Sequence, residues 1–465
     1  MVENRENVFE AVNPKHGHKS QENAKLLNWK YMRHIWFIEI LIFITVFSLD
    51  PSQAQELDPV LKKLSQEYHF TYKKMTTDTF FTEKYLLEIE QPLDHNNLDG
   101  KTFTQQVFLS HNGIDNPVVF ITEGYAADYA ENSRYLHELS PILNANQVCV
   151  EHRYFGESVP DPLDWSKLTV SNSATDHHRI VEILKKIYHG KWLSTGISKG
   201  GQTSMFYRCF YPGDVDVSVP YVAPLNFSIE DKRAYHFLNT VGDSVCRSQV
   251  LGFQLELLRN KDIYLPAFEK LATKKNLHYR MGVEKGFELS VFEYSFSFWQ
   301  WGTINCDMIP SNGTPYQMIK HLDRVASIDW VSDKGISAYQ AFFYQALAEI
   351  GFYGYDITPF KEYVSFNKNP TFDFTAPEGL DVEYDPVVMQ EVDCFIRHKA
   401  ENMLFIYGEN DPWSSTAVDL SYSNNCLKVV KRGGSHVTRI GNLPDEQKEL
   451  VIGTLRKWMG LENDF

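Results

Sequence analysis

Cysteine is scarce, basic residues are outnumbered and no apolar run is long; each shortage removes a class of protein. The six cysteines (149, 209, 246, 306, 394 and 426) include no C-x-x-C pair. Zinc-ribbon and thioredoxin-like spacings are therefore absent, and no metal or other cofactor is implied. Lys and Arg number 45 against 60 Asp and Glu, a net charge of −15. That balance argues against a nucleic-acid partner, because phosphate binding needs a basic footprint. The apolar stretch from Ile35 to Leu49 is short for a membrane span, which needs roughly 20 residues, and Glu39 interrupts it. No heptad array, internal repeat or low-complexity tract occurs.

That short stretch has another reading. Lys30 and Arg33 lead into it and Ser52-Gln53-Ala54 follows with small residues. Basic, apolar, small is the layout of a secretory signal peptide, expected over residues 1–54. The segment ahead of the basic residues is long for such a signal, so the functional start is expected at Met32. A signal anchor or lipoprotein is the alternative. The expected location is secreted or periplasmic, without stable membrane insertion. In such a compartment six cysteines permit up to three disulfides. Cys149 sits in an apolar run and reads as a buried free thiol instead.

What is present is ample core material: 43% hydrophobic and 14% aromatic residues over a chain of 465. That length exceeds an ordinary single core, so a large domain with an insertion, or two domains, is expected. Tyr85 to Glu90 and Thr102 to Leu109 alternate like half-buried strands around a turn-rich Asp94 to Gly100. Short apolar runs follow at Val118 to Thr122, Gln147 to Glu151 and Trp192 to Thr195, with helical stretches near 130–144 and 176–189 between them. Strands alternating with helices predict a parallel sheet. The rhythm continues through helix 202–211 and strand 215–219, then stops. It resumes with strands 402–407 and 426–431 and a closing helix from Asp445. The gap is helical in pattern and rich in aromatics. Expected boundaries are thus a sheet domain over 55–225 and 396–465, with a helical cap insertion over 226–395.

Chemistry concentrates in Gly196-Ile197-Ser198-Lys199-Gly200-Gly201. A bare G-x-S-x-G is a weak signal, but here a short strand precedes it and a helix-compatible run follows. That context predicts a nucleophile elbow, with Ser198 on a strained strand-to-helix turn, and an α/β-hydrolase sheet carrying a large, mostly helical cap. A hydroxyl needs a base, and this fold supplies an acid and then a histidine downstream. Asp411, in the loop after strand 402–407, is the expected acid, with Glu409 as the alternative. His436, in Gly433-Gly434-Ser435-His436, is the expected base. The backbone amides of Lys199 and of Gly124 or Tyr125 are expected to form the oxyanion hole. The Lys199 side chain is expected to pair with a local acid, with a substrate carboxylate as the alternative partner.

Glu151-His152-Arg153-Tyr154-Phe155-Gly156-Glu157-Ser158 and Thr122-Glu123-Gly124 resemble signatures of the prolyl carboxypeptidase and dipeptidyl peptidase II group of serine peptidases. The elbow departs from that group's usual G-G-S-Y-G-G. It is instead similar to that of the related secreted bacterial tripeptidyl aminopeptidase family. The resemblance covers about 80–226 and 400–440, with a weaker echo at Trp299-Gln300-Trp301.

The resemblance implies an exopeptidase releasing short peptides from free N-termini, with peptides as its partners. Such an enzyme needs an anion for the substrate ammonium. Glu123 is the expected residue, unless it pairs with Arg153. Arg153 and Glu157 read as a structural charge network, with direct substrate contact by Arg153 the other possibility. Trp299 and Trp301 suit an apolar substrate wall or the core. Rival readings are a prolyl-type dipeptidyl or carboxypeptidase, an esterase or lipase, and a silent hydrolase-fold binding protein.

Overall fold

The computed structural model describes residues 57–78, 80–423 and 425–461. The expected export signal lies outside the described residues. Nine strands form one sheet: β1 (Phe70–Met75), β2 (Glu83–Pro92), β3 (Thr102–His111), β4 (Val118–Thr122), β5 (Asn146–Val150), β6 (Trp192–Ile197), β7 (Val217–Tyr221), β8 (Glu401–Gly408) and β9 (Asn425–Lys431). Their order is β1-β2-β3-β5-β4-β6-β7-β8-β9. The first three strands and the β3–β5 pair are antiparallel; from β5 through β9 all pairing is parallel. This is an α/β-hydrolase arrangement.

The central strands are apolar on both faces because helices cover both. Along β4, Val118 and Phe120 join Leu57, Ile180, Trp192 and Tyr207 on one side. Val119 and Ile121 join Leu139, Val217, Ile406 and Leu455 on the other. This is the two-residue period of a strand turned into two cores. The helices Leu57–Tyr68, Val170–Leu184 and Lys199–Phe210 cover the first face. The helix Leu139–Leu143 and the closing helix Asp445–Trp458 cover the second.

Between β7 and β8 the described chain is helical, from Arg233–Leu238 to Val387–His398. Its longest helix, Val283–Trp301, is buried along most of its length. One disulfide joins Cys246, on the helix Ser244–Arg259, to Cys306, just beyond Trp301. The thiols of Cys149, Cys209, Cys394 and Cys426 are free, Cys149 buried. No helix among the described residues is long and apolar enough to cross a membrane. The helix expected over 130–144 shrinks to Leu139–Leu143, preceded by the single turn Asp128–Glu131. The helix expected to begin at 176 begins at Val170, where the Thr169 hydroxyl caps it by accepting from the Asn172 amide.

Candidate active site

The register sets Ile197 of β6 beside Tyr221 of β7, Tyr221 beside Ile406 of β8, and Ile406 beside Val429 of β9. The carboxyl ends of four strands therefore share one edge, where open parallel sheets place their sites. Ser198 leaves β6 at φ 57° and ψ −119°, and the helix Lys199–Phe210 starts at the next residue. A non-glycine residue at positive φ is strained and persists only where its surroundings hold it. They do so here: the Ser198 amide donates to Tyr221 O at 2.9 Å, and its carbonyl accepts from the Gln202 amide at 2.9 Å. Gly196 allows the fold-back. A Cβ there would lie 2.2 Å from the Gly200 carbonyl oxygen and 2.7 Å from Thr122 O.

Asp411 stands three residues beyond β8 and is fully buried. Its Oδ2 lies 2.7 Å from His436 Nδ1, and its Oδ1 accepts from the Trp413 amide at 3.2 Å. A carboxylate only accepts, so Nδ1 carries the proton and Nε2 is left as a base. Glu409 is turned away, accepting from the Gly433 amide at 2.7 Å. The His436 loop is held from two further sides. The His436 amide donates to Gln300 O at 2.8 Å, from the helical segment. Glu138 accepts from the Ile440 and Gly441 amides at 2.9 and 2.8 Å, while Arg439 Nη1 donates back to His436 O at 3.1 Å. Sequence reasoning missed Glu138, because its partners lie about 300 positions away, and Arg439, because it bonds backbone carbonyls, which leave no side-chain pattern. No hydrogen bond joins Ser198 Oγ to His436 among the described residues; the two are related by the edge at which β6 and β9 both end.

The amides of Lys199 and Tyr125 have no acceptor among the described residues. The Gly124 amide lies near enough to the Glu123 carboxylate to pull its pKa down. Glu123 does not pair with Arg153. It accepts a very short bond from the Tyr129 hydroxyl. Burial holds its carboxyl above the usual range, against the opposing pull of Tyr129, the Gly124 amide and Lys199. Lys199 pairs with no acid among the described residues; its ammonium lies over the rings of Phe155 and Tyr125, at 5.4 and 5.8 Å.

The long signature proves to be scaffold. Arg153 is 0% exposed, and all five of its N–H groups are used. Two go to Asp176 at 2.6 and 2.7 Å, and three to the carbonyls of Leu93, Lys167 and Pro92. Substrate contact by Arg153 is therefore corrected: it has neither exposure nor a free donor. Burial pushes Asp176 up, but Arg153 and His95 outweigh it and hold the carboxyl below its ordinary value. Glu157 is exposed and adds only its amide, to Glu151. Glu151 was not singled out, yet it anchors the segment. Its Oε1 accepts from the Glu157 amide and from Ser158 N and Oγ, and its Oε2 from the Ala127 amide.

The two tryptophans separate. Trp299 is a core residue: a Cβ on Gly242 would meet its ring at 2.4 Å. Trp301 is 36% exposed and stands edge-on to His436, ring centres 5.8 Å apart. A second buried acid escaped notice because it lies within an aromatic run. Glu293 accepts from the hydroxyls of Ser297, Tyr353 and Tyr355 at 2.6 to 2.8 Å, and Tyr353 packs on Trp413 in the Asp411 loop.

A buried acid–histidine pair and a strained serine, each in a loop at the carboxyl edge of this sheet, are the marks of the serine hydrolases. Comparison with known proteins narrows that class. The model of PS-10 peptidase S37 matches residues 67–464, and the chain belongs to that family of serine peptidases. A prolyl tri/tetrapeptidyl aminopeptidase of Streptomyces mobaraensis is 32% identical over 390 residues, covering 81% of this chain and 80% of that protein. The lysosomal Pro-X carboxypeptidase of Bos taurus is 26% identical over 206 residues, 40% of each chain. A solved proline iminopeptidase from Mycobacterium smegmatis covers 80% of this chain and 98% of its own, with 12% identity and a TM-score of 0.41.

Proposed function

We propose that this serine peptidase is an exported aminopeptidase, releasing short peptides, tripeptides foremost, from free N-termini through an acyl-enzyme on Ser198. The observation that carries the mechanism is the 2.7 Å contact of buried Asp411 with His436 Nδ1, on the strand edge that bears Ser198. His436 Nε2 takes the Ser198 proton as Oγ attacks the scissile carbonyl. The Lys199 and Tyr125 amides receive the oxyanion, and the imidazolium, oriented by Asp411, protonates the leaving amine. Water then repeats the sequence on the acyl-enzyme.

Release from the N-terminus is supported by the similarity to the Streptomyces aminopeptidase along four-fifths of the chain. Glu123 suits the substrate ammonium, since a carboxyl that burial holds toward neutrality becomes charged when a cation arrives beside it. The helical segment roofs the site, with Trp301 as an apolar wall beside His436. Export is supported by the Cys246–Cys306 disulfide together with the basic, apolar and small-residue order of the N-terminus.

The test is mass spectrometry of products from one peptide pool, offered with free and with acetylated N-termini. Tripeptides from the free pool and none from the acetylated pool are expected. Cleavage of acetylated peptides at their C-terminal end would replace this reading with a carboxypeptidase.

A further inference from the structure

The residue after the nucleophile is a lysine, and its side chain has no use in the mechanism above. The stem of Lys199 fills the space beneath the loop that carries the Tyr125 amide. A Cβ placed on Gly124 would meet Lys199 Cβ at 2.6 Å and Cγ at 2.7 Å. Gly124 is thus the residue that lets the two halves of the oxyanion hole touch. The ammonium lies over the faces of Phe155 and Tyr125, and the residue is only 3% exposed. It also lines a small pocket shared with His152, Thr203 and Gln345.

No neighbour at contact distance cancels its charge. Glu123, from the loop after β4, attracts it, but that carboxyl is held by the Tyr129 hydroxyl. His152, after β5, and His177, on the helix Val170–Leu184, are both depressed by burial, His177 to about 4. They are neutral near pH 7. Thr203 and Gln345 carry no charge. A leucine or methionine would brace the loop equally well, so the buried amine is the feature that needs a reason.

We propose that Lys199 is the positioning and electrostatic residue of the oxyanion hole: its stem sets the Tyr125 amide and its ammonium lends fixed positive charge to the tetrahedral intermediate. This rests on Ser198 as the nucleophile. In a site shielded from water such a charge acts over a longer range than in solvent, and no reorganisation is needed when the oxyanion forms. Burial, partly opposed by Glu123, brings the amine down to about 7. The sign follows: the charge is present below that pH and is lost as pH rises through it. His436 must meanwhile be neutral to act, so kcat/KM should be bell-shaped, its alkaline limb belonging to Lys199.

Three measurements on the full chain test this. Lys199→Met keeps the volume and removes the charge. It should keep its melting temperature, lower kcat about ten- to a hundredfold with KM nearly unchanged, and lose the alkaline limb. Lys199→Arg should restore that activity and move the limb upward. In the unaltered enzyme the limb should stay in place when an organic cosolvent is added, as for a cationic acid; a limb that rises belongs to a neutral acid. A Lys199→Met enzyme with normal kcat, or with reduced kcat and an unaltered pH profile, overturns the proposal. So does a cosolvent-sensitive limb, a result that needs no variant to fold. Mapping a fluorophosphonate adduct in the unaltered enzyme tests Ser198 separately, so the two readings fail by different observations.

Discussion

The segment Glu151–Ser158 follows β5 and the elbow Gly196–Gly201 closes β6, strands that flank β4 on either side. They differ in how their polar groups end. In the first, the Glu151 carboxylate takes four donors and the Arg153 guanidinium uses all five of its own. In the second, Ser198 Oγ, the Lys199 amide and the Lys199 ammonium have no hydrogen-bonding partner among the described residues. A saturated group fixes backbone and does little else. An unsatisfied one, held in place by its surroundings, is available to a substrate. The longer and more distinctive motif is therefore scaffold, and the shorter one is where the chemistry sits.

The difference can be broken at either end. Ser198→Ala should lower kcat by about 10⁴-fold or more, since nothing replaces the nucleophile. Its unfolding free energy in urea should stay within about 0.5 kcal/mol of the parent, because Oγ holds nothing. Arg153→Met should do the reverse, costing about 3–5 kcal/mol of stability by leaving Asp176 buried with His95 but without the guanidinium. The folded fraction of that variant should keep a kcat near that of the parent. Loss of kcat with stability intact would place Arg153 at the substrate after all.

How much of this was legible follows the same division. β4 runs from Val118 to Thr122 as read, because a strand covered on both faces is apolar at nearly every position. β1 was missed: Phe-Thr-Tyr-Lys-Lys-Met pairs only with β2, and Thr71, Lys73 and Lys74 are exposed. Asp411 and His436 could be chosen because the order of elements dictates which loops reach the edge. Asp176 could not be matched to Arg153, nor Glu138 to Gly441, which lie 23 and 303 positions apart. Such pairs depend on the packing of whole elements and leave no local pattern. Trp299 and Trp301 looked alike for a related reason. Helical periodicity does not say where a helix ends, and Trp301 is the last residue of its helix.

Glu293 sharpens the comparison, accepting from three hydroxyls within an aromatic core where Glu151 takes four donors. Burial lifts its carboxyl from 4.5 to about 7, the three hydroxyls only partly opposing the shift. The folded state therefore holds this proton where the unfolded chain has lost it. Stability from the group is present below the unfolded value and drains away as pH rises through about 7. Glu293→Gln should flatten that decline and be the more stable protein at pH 8, by on the order of 2 kcal/mol. Denaturation midpoints of both proteins between pH 5 and 8 give the answer. A parallel decline in both would mean that another group causes it.

The smallest expected effect concerns Trp301, the one aromatic of its helix that is both open to solvent and against the base. Its ring meets His436 edge-on at 5.8 Å, and the preceding residue gives its carbonyl to the His436 amide. Backbone thus fixes the histidine while the indole faces outward, and the two roles are separable by mutation. Trp301→Ala leaves the Gln300 carbonyl in place and removes only part of an apolar wall. That loss is worth about 1 kcal/mol of contact with an apolar substrate side chain. KM should rise about five-fold with kcat nearly constant, the pattern of binding shared equally by ground and transition states. A fall in kcat at constant KM would mean that the indole steadies His436. Trp301 would then stand with Arg439 and Glu138 as a support of the base, and the substrate wall would have to be sought elsewhere in the helical segment.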